Sequence, residues 1–396
     1  MVGLGGQQVE SRRVLMLFFL TSFLRLSFLA SIDSMLIQRL QLHPRFAACC
    51  AGWLLLSACA IPILGQELPL PKDTLPETLE LIRVPLGLEQ VKSEVVSEER
   101  VALGRRLFFD PILSADQTVS CATCHQPDHG FASPEAVSVG IGGMKGTRNA
   151  PSILNTVYRK SLFWDGRTAT LEEQALEPIE NVAEMGHDLS NIIERLQEDR
   201  SYSEQFVRVF GQPVNEEGLS KALASFQRVL LSGDHGVDRF RAGEFKALTT
   251  EERNGMWIFE SKGQCWRCHS GANLTDEDFH NTGVSWGKEP LDLGRFDVTG
   301  DKYHRGQFKT PSLRSVALTP PYMHDGSIKT LREVVDFYNE GGGTNPGLDN
   351  NINPLNLTER ELEFLTAFLE SLRPSSGTRR FEGAKKREDE SDPAYK

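Results

Sequence analysis

The sequence predicts an all-α protein of two helical domains with long loops. Three observations carry that expectation: capped helical segments recur from residue 97 onward, no stretch sustains a period-two alternation, and one cysteine pattern occurs once in each half. The chain has 396 residues, 39% of them hydrophobic and 24% charged. That is average globular usage at a length sufficient for two ordinary cores, which excludes a disulfide-stapled miniature, a wholly disordered chain and a polytopic membrane protein. With 54 acidic and 43 basic residues the net charge is -11, and no basic stripe stands out. Nucleic acid is therefore not an expected partner, whereas an acidic surface suits a basic partner or simple solubility.

Residues 1–65 read as a leader. Positions 14–30 are apolar apart from Arg25, and a second apolar run at 47–65 follows Arg39 and Arg45. If synthesis starts at Met35, the second run is the apolar region of a secretory signal; the alternative is a membrane hairpin, for which the first run is short. Leu56-Ser57-Ala58-Cys59 resembles a lipobox that would place a lipid on Cys59, and cleavage near Gly65 without lipid is the other outcome. Residues 66–95 form a linker. Helices are expected at 97–108, opened by Ser97-Glu98-Glu99, and at 170–179, where Thr170 and Glu173 make a capping box. Leu219, Leu223, Phe226 and Leu230 form one apolar helical face, and 250–260 reads as a helix directly before the second cysteine pattern. Thr330 with Glu333 and Thr358 with Glu361 cap two more, the last stopped by Pro374. The domains run over 96–240 and 241–373, and the tail at 374–396 is too polar to bury.

Of the seven cysteines, Cys49, Cys50 and Cys59 fall in the leader. The other four form Cys121-Ala-Thr-Cys124-His125 and Cys265-Trp-Arg-Cys268-His269, with none left over. The two thiols of C-x-x-C-H can add to the vinyl groups of one haem while the adjacent histidine reaches the iron. A zinc site would want four ligands near each other, and a thioredoxin-like pair would need neither the histidine nor a second copy. Two covalently bound c-type haems follow, one in each cytochrome c-like domain. Export agrees, because such haem is attached outside the cytoplasm.

The stretch from about Leu103 to about Leu372 resembles the bacterial dihaem cytochrome c peroxidase family, including its MauG-like branch. The resemblance rests on Leu103-Gly104-Arg105-Arg106-Leu107-Phe108-Phe109-Asp110, Arg148-Asn149-Ala150-Pro151, Phe163-Trp164-Asp165-Gly166-Arg167, Leu171-Glu172-Glu173-Gln174-Ala175 and Glu184-Met185-Gly186. Beyond the second motif it includes Phe308-Lys309-Thr310-Pro311-Ser312-Leu313-Arg314 and Pro321-Tyr322-Met323-His324-Asp325-Gly326. The resemblance implies that the first haem is the peroxide site, with His125 as its proximal ligand. It makes Glu184 the distal acid-base residue, Gln174 its neighbour and Trp164 the relay between the haems. It further implies a calcium ion between the domains, held by the side-chain oxygen of Asn149 and the backbone oxygens of Thr319 and Pro321, with water completing the shell.

Two departures qualify the resemblance. In the simple peroxidases a histidine in the loop after the first motif covers the resting iron. Here the loop at 137–148 has no histidine, Ile141 falls about where it would be, and His129 stands too close to His125 to reach the opposite face. The first haem is thus expected to be open at rest. The second departure is the other axial ligand of the second haem, methionine in the peroxidases and tyrosine in the MauG-like branch. Position in the motif puts Tyr338 there, in line with Leu331, Val334 and Val335, with Met323 as the rival.

The function these readings imply is an exported, periplasmic peroxidase-like oxidoreductase. It would reduce hydrogen peroxide at the first haem and draw electrons through the second from an electron-donor protein, a small cytochrome or cupredoxin. The alternatives are MauG-type oxidative maturation of a partner protein's side chains, or a dihaem electron carrier without turnover. Glu184 and the missing sixth ligand argue against the carrier. A homodimer is left open.

Overall fold

A computed structural model of the chain describes residues 85–88 and 96–374. The leader, most of the linker and the polar tail beyond Pro374 lie outside the described residues. The first helix, α1 (Glu98–Phe109), begins where Ser97 Oγ accepts from the Arg100 amide, with Glu98 and Glu99 in the first turn and Arg106 in the last. Both ends therefore suit the helix dipole. Next come α2 (Leu171–Glu180), α3 (Leu189–Glu198), α4 (Arg200–Phe210) and α5 (Glu216–Arg228). The short α6 (Gly236–Arg241) leads to α7 (Thr250–Glu260), α8 (Leu331–Asn339) and α9 (Glu359–Ser371). Thr170, Thr330 and Thr358 each make the expected capping box with the glutamate three residues on. The last helix stops at Ser371, three residues short of Pro374, and Leu230 lies just beyond the end of α5 while staying buried.

Helices α3, α4 and α6 were not expected. Their apolar pattern is nonetheless helical: Ile192 with Leu196, and Tyr202 with Phe206, sit four residues apart and are fully buried. The described residues also contain a minimal antiparallel pair, β1 (Phe279–His280) with β2 (Phe308–Lys309), matching Phe279 to Lys309 and His280 to Phe308. Two residues per strand leave no period-two signal.

Among the described residues two main hydrophobic cores form. The first gathers Leu103, Leu107, Phe108, Phe131, Ile179, Tyr202, Phe206, Leu223 and Phe226; the second gathers Ile258, Phe259, Leu274, Val335, Leu362, Leu365 and Phe368. Each is organised by one close helix crossing. In the first, α1 meets α5 at Gly104, where a Cβ would stand 1.9 Å from the Ala222 carbonyl oxygen. In the second, α7 meets α9 at Gly255, where a Cβ would stand 1.9 Å from the Phe364 carbonyl oxygen.

The likeness extends along the chain. Pro151-Ser152-Ile153 and Pro311-Ser312-Leu313 each run into a residue with positive φ, Asn155 (60°) and Ser315 (62°), and then into a 3-10 turn. An Asp-Gly turn follows in each half, closed by a bridge between Leu162 and Thr168 and between Tyr322 and Ile328. Phe163 (φ 65°) and Met323 (φ 71°) occupy the same place in those turns, and the threonine-capped helices α2 and α8 come next. The described chain therefore uses one frame twice, so Trp164 and His324 are counterparts.

The two uses meet through polar contacts. Arg148 reaches Asp292 at 2.7 and 2.8 Å, Arg295 donates to the Asp165 and Gly166 carbonyl oxygens at 2.7 and 2.8 Å, and the Ser232 and Ser315 hydroxyls lie 2.6 Å apart. Among the described residues no helix is long and apolar enough to cross a membrane.

Because backbone blocks the added methyl group at both crossings, Gly104→Ala and Gly255→Ala should each lower stability by about 2–3 kcal/mol in urea denaturation. Gly146→Ala, whose Cβ would find its nearest neighbours at 3.8 Å, is the comparison expected to change little.

Candidate active site

The first motif occupies one helical turn, Cys121–Cys124, begun by Ser120, whose amide donates to Thr123 Oγ1 at 3.0 Å. The turn ends at His125, whose Nδ1 donates to the Phe131 carbonyl oxygen at 3.1 Å. That bond fixes the tautomer and leaves Nε2 with its lone pair. Burial also lowers the pKa of His125, keeping the ring neutral. The Cys121 thiol is pushed up to about 12, first by burial and then by Cys124, and Cys124 is raised too, so neither is a ready thiolate. Phe131, which supplies the carbonyl, is fully buried and sits at φ 57°, a left-handed conformation unusual for a bulky side chain.

The motif opens on a cavity of about 500 Å³. Cys121, Cys124 and His125 line it together with Trp164, Gln174 and Glu184, residues up to 63 positions apart that the fold brings to one space. Glu184 sits in the turn after α2. Its Oε1 accepts from Asn181 Nδ2 at 2.7 Å, and its backbone oxygen accepts from the Ile141 amide at 2.9 Å. Burial pushes the Glu184 carboxyl above the ordinary glutamate range, while Arg167 and the Asn181 hydrogen bond pull the other way. Gln174 Oε1 accepts from Gln227 Nε2 at 3.4 Å. Thus the loop carrying Ile141 is bonded to the backbone of the residue expected to do acid-base work.

Trp164 Nε1 donates to the Asn149 carbonyl oxygen at 2.9 Å, and its ring meets His324 edge-on at 6.4 Å. His324 is buried, stacks on Phe308 at 3.6 Å and bonds Ser285 Oγ at 2.8 Å. Asn149 is also buried, and its amide nitrogen donates to the Glu135 carbonyl at 2.8 Å, which leaves its side-chain oxygen for another partner. Thr319 closes a 3-10 turn against Gly130, with Pro321 two residues on.

The second motif repeats the first. His269 Nδ1 donates to the Leu274 carbonyl oxygen at 3.1 Å, and Leu274 too is buried with a positive φ of 51°. Burial raises the Cys265 thiol to about 12 and lowers His269. Tyr338 lies beside this motif: its phenol is pushed up by burial, then by the nearby Cys268 and Cys265 thiols, against a hydrogen bond with Thr282. Met323 lies in the Asp-Gly turn next to His324.

Three comparisons bear on these features. Residues 98–246 match the family model described as di-haem cytochrome c peroxidase. The methylamine utilization protein MauG of Methylorubrum extorquens is 38% identical over 293 residues, 74% of this chain and 83% of that protein. The chain belongs to the di-haem cytochrome c peroxidase and MauG family. Within the family, the cytochrome c551 peroxidase of Pseudomonas aeruginosa is 34% identical over 300 residues, 73% of this chain and 83% of its own. A crystal structure of a MauG-like protein associated with microbial copper homeostasis superposes with a TM-score of 0.68 at 34% identity, covering 79% of this chain and 99% of that one. The chain is thus a peroxidase-type oxidoreductase, and its family implies two c-type haems.

The residues fit that cofactor. Each motif offers two thiols and a neutral, oriented imidazole. Around the first cavity, Ser138 Oγ, Arg159 Nε and Gln227 Oε1 are buried without a hydrogen-bond partner, as expected of groups that face a bound molecule. Sequence reading did not single out these three or Asn181. Only Asn181 left a signal, three residues before Glu184.

Asn181 supports the charged form of Glu184, so Asn181→Ala should move the carboxyl titration to still higher pH. Isotope-edited infrared spectra across a pH series would read it, and an unchanged or lower midpoint would contradict the assignment.

Proposed function

We propose that the chain is an exported, MauG-like dihaem peroxidase in which hydrogen peroxide reacts in the cavity beside Cys121, Cys124 and His125. The convergence of Glu184, Gln174 and Trp164 on that cavity carries the proposal. Residues 96–240 would form the peroxidatic haem domain and 241–373 the electron-transfer domain; the two cores support that division except at Val237, which packs in the second. What a haem supplies here is an iron centre at which the peroxide O–O bond is reduced.

The protein's own groups do the rest. The Glu184 carboxylate takes a proton from one peroxide oxygen and returns it to the other, so that water leaves. Its raised pKa favours that exchange near neutral pH, and Asn181 keeps the carboxylate aimed. Gln174, held by Gln227, positions the substrate with a neutral amide. Ile141 brings no imidazole to the site, so the space above His125 stays open. Trp164 relays electrons; because its N–H donates to a carbonyl, which is a poor base, the indole keeps its proton during the transfer.

In the second domain Cys265, Cys268 and His269 would hold the other haem, with Tyr338 as a further ligand in preference to Met323. The proximity of the phenol to both cysteines supports that choice. A phenolate ligand favours oxidised iron, and this gives weight to a second reading, oxidative maturation of a partner protein, beside electron uptake from a small cytochrome or cupredoxin. Calcium would sit on Asn149, Thr319 and Pro321. Export, with or without a lipid on Cys59, accords with haem attachment outside the cytoplasm.

Glu184→Gln should leave both haems attached and slow the peroxide reaction by about two to four orders of magnitude in stopped flow. A rate near that of the wild type would return Glu184 to the status of a solvated charge. Tyr338→Phe should change the low-spin spectrum of the second haem whereas Met323→Leu should alter it little. The reverse pattern would make Met323 the ligand.

A further inference from the structure

One charged cluster that the mechanism above does not use lies beside the second motif. His280, in β1, lies between two carboxylates, with Nδ1 2.6 Å from Asp349 Oδ2 and Nε2 2.8 Å from Asp276 Oδ2. A carboxylate can only accept, so both ring nitrogens carry hydrogen and the ring is an imidazolium. The three side chains are only 16–22% exposed, so the charges are weakly screened. Backbone bonds hold the arrangement, the Asp276 amide donating to the Cys268 carbonyl at 2.7 Å and the Asp349 amide to the Asn281 carbonyl at 2.9 Å.

The cluster is built against the second motif. Ligand-type atoms of Cys268, Asp276 and His280 all lie within 4.8 Å of one another. Such a trio resembles a metal site. Cys268, however, is committed to haem attachment in a C-x-x-C-H motif, and both nitrogens of His280 are occupied. The first motif has nothing comparable: where Leu274 is followed by Thr275 and Asp276, its counterpart Phe131 is followed by Ala132 and Ser133.

We propose that His280, clamped between Asp276 and Asp349 at the Cys268 attachment point, is a fixed cation that sets the reduction potential of the second haem and distinguishes it from the first. The proposal rests on the reading that Cys265, Cys268 and His269 hold a haem. The clamp carries a net charge of about -1, from one imidazolium and two carboxylates. Replacing the imidazolium makes it more negative and favours the oxidised centre; neutralising one carboxylate makes it less negative and favours the reduced centre. A unit charge changed within about ten ångströms of a redox centre shifts its one-electron equilibrium by about tenfold, ~59 mV.

The test is spectropotentiometric titration of the holoprotein carrying His280→Gln or Asp349→Asn, with Asp276→Asn as the third variant should either of those fail to fold. His280→Gln should lower the potential of the second haem about tenfold in equilibrium constant, and either aspartate variant should raise it by a similar factor. The first haem should hold its potential throughout. Shifts of the same sign in the histidine and aspartate variants, or no shift, would overturn the proposal and leave the cluster a structural brace. A haem count by pyridine haemochrome separates this failure from that of the underlying reading, because fewer than two covalent haems would remove the clamp's target altogether.

Discussion

Each haem-motif histidine is held by a hydrogen bond from Nδ1 to a backbone carbonyl, and the rest of the site depends on it. Phe131 and Leu274 present those carbonyls only by adopting left-handed conformations, at φ 57° and 51°. For a large L side chain that conformation costs about 1–2 kcal/mol, so it persists only where surrounding packing overrides it. Both side chains are buried in the cores, Phe131 against Phe108 and Phe226 and Leu274 within the second cluster. The glycine crossings make those cores tight enough to do so. Core packing is thus converted into a fixed direction for Nε2, the geometry an iron ligand needs.

Duplication of this frame explains why the chain has two similar sites, and small local differences explain why they diverge. In the first half the space near His125 is bounded by Glu184, Gln174 and an isoleucine-bearing loop. In the second half a tyrosine and the His280 clamp stand beside the cysteines. Where the Asp-Gly turns correspond, one half places Trp164 and the other His324, and the two rings meet at the junction. An asymmetric enzyme arises from a repeated scaffold because the frame fixes ligand direction while loops supply the chemistry.

Local features were legible in the sequence and long-range ones were not. The threonine-glutamate capping boxes act over three residues, so the starts of α2, α8 and α9 could be read directly, and α7 matched its expected bounds of 250–260. Both C-x-x-C-H motifs were plain for the same reason. Helices α3 and α4 were overlooked although Tyr202 and Phe206 carry a helical spacing, because polar residues crowd between the apolar positions. The two-residue strands exist only through their partners. Arg148 gave no hint of Asp292, which lies 144 residues away, nor Gln227 of Gln174, 53 residues away. The internal repeat was readable in Pro-Ser, Asp-Gly and Thr-Leu, spaced alike in the two halves, and it would have paired Trp164 with His324 from the start.

Electron paramagnetic resonance of the resting ferric holoprotein tests most directly the claim that one frame holds an open haem and a closed one. The expected result is one high-spin signal from the His125 haem and one low-spin signal from the His269 haem. Two low-spin signals with no high-spin component would contradict the account, and Met144 or His129 would then be the first residues to examine as an additional ligand.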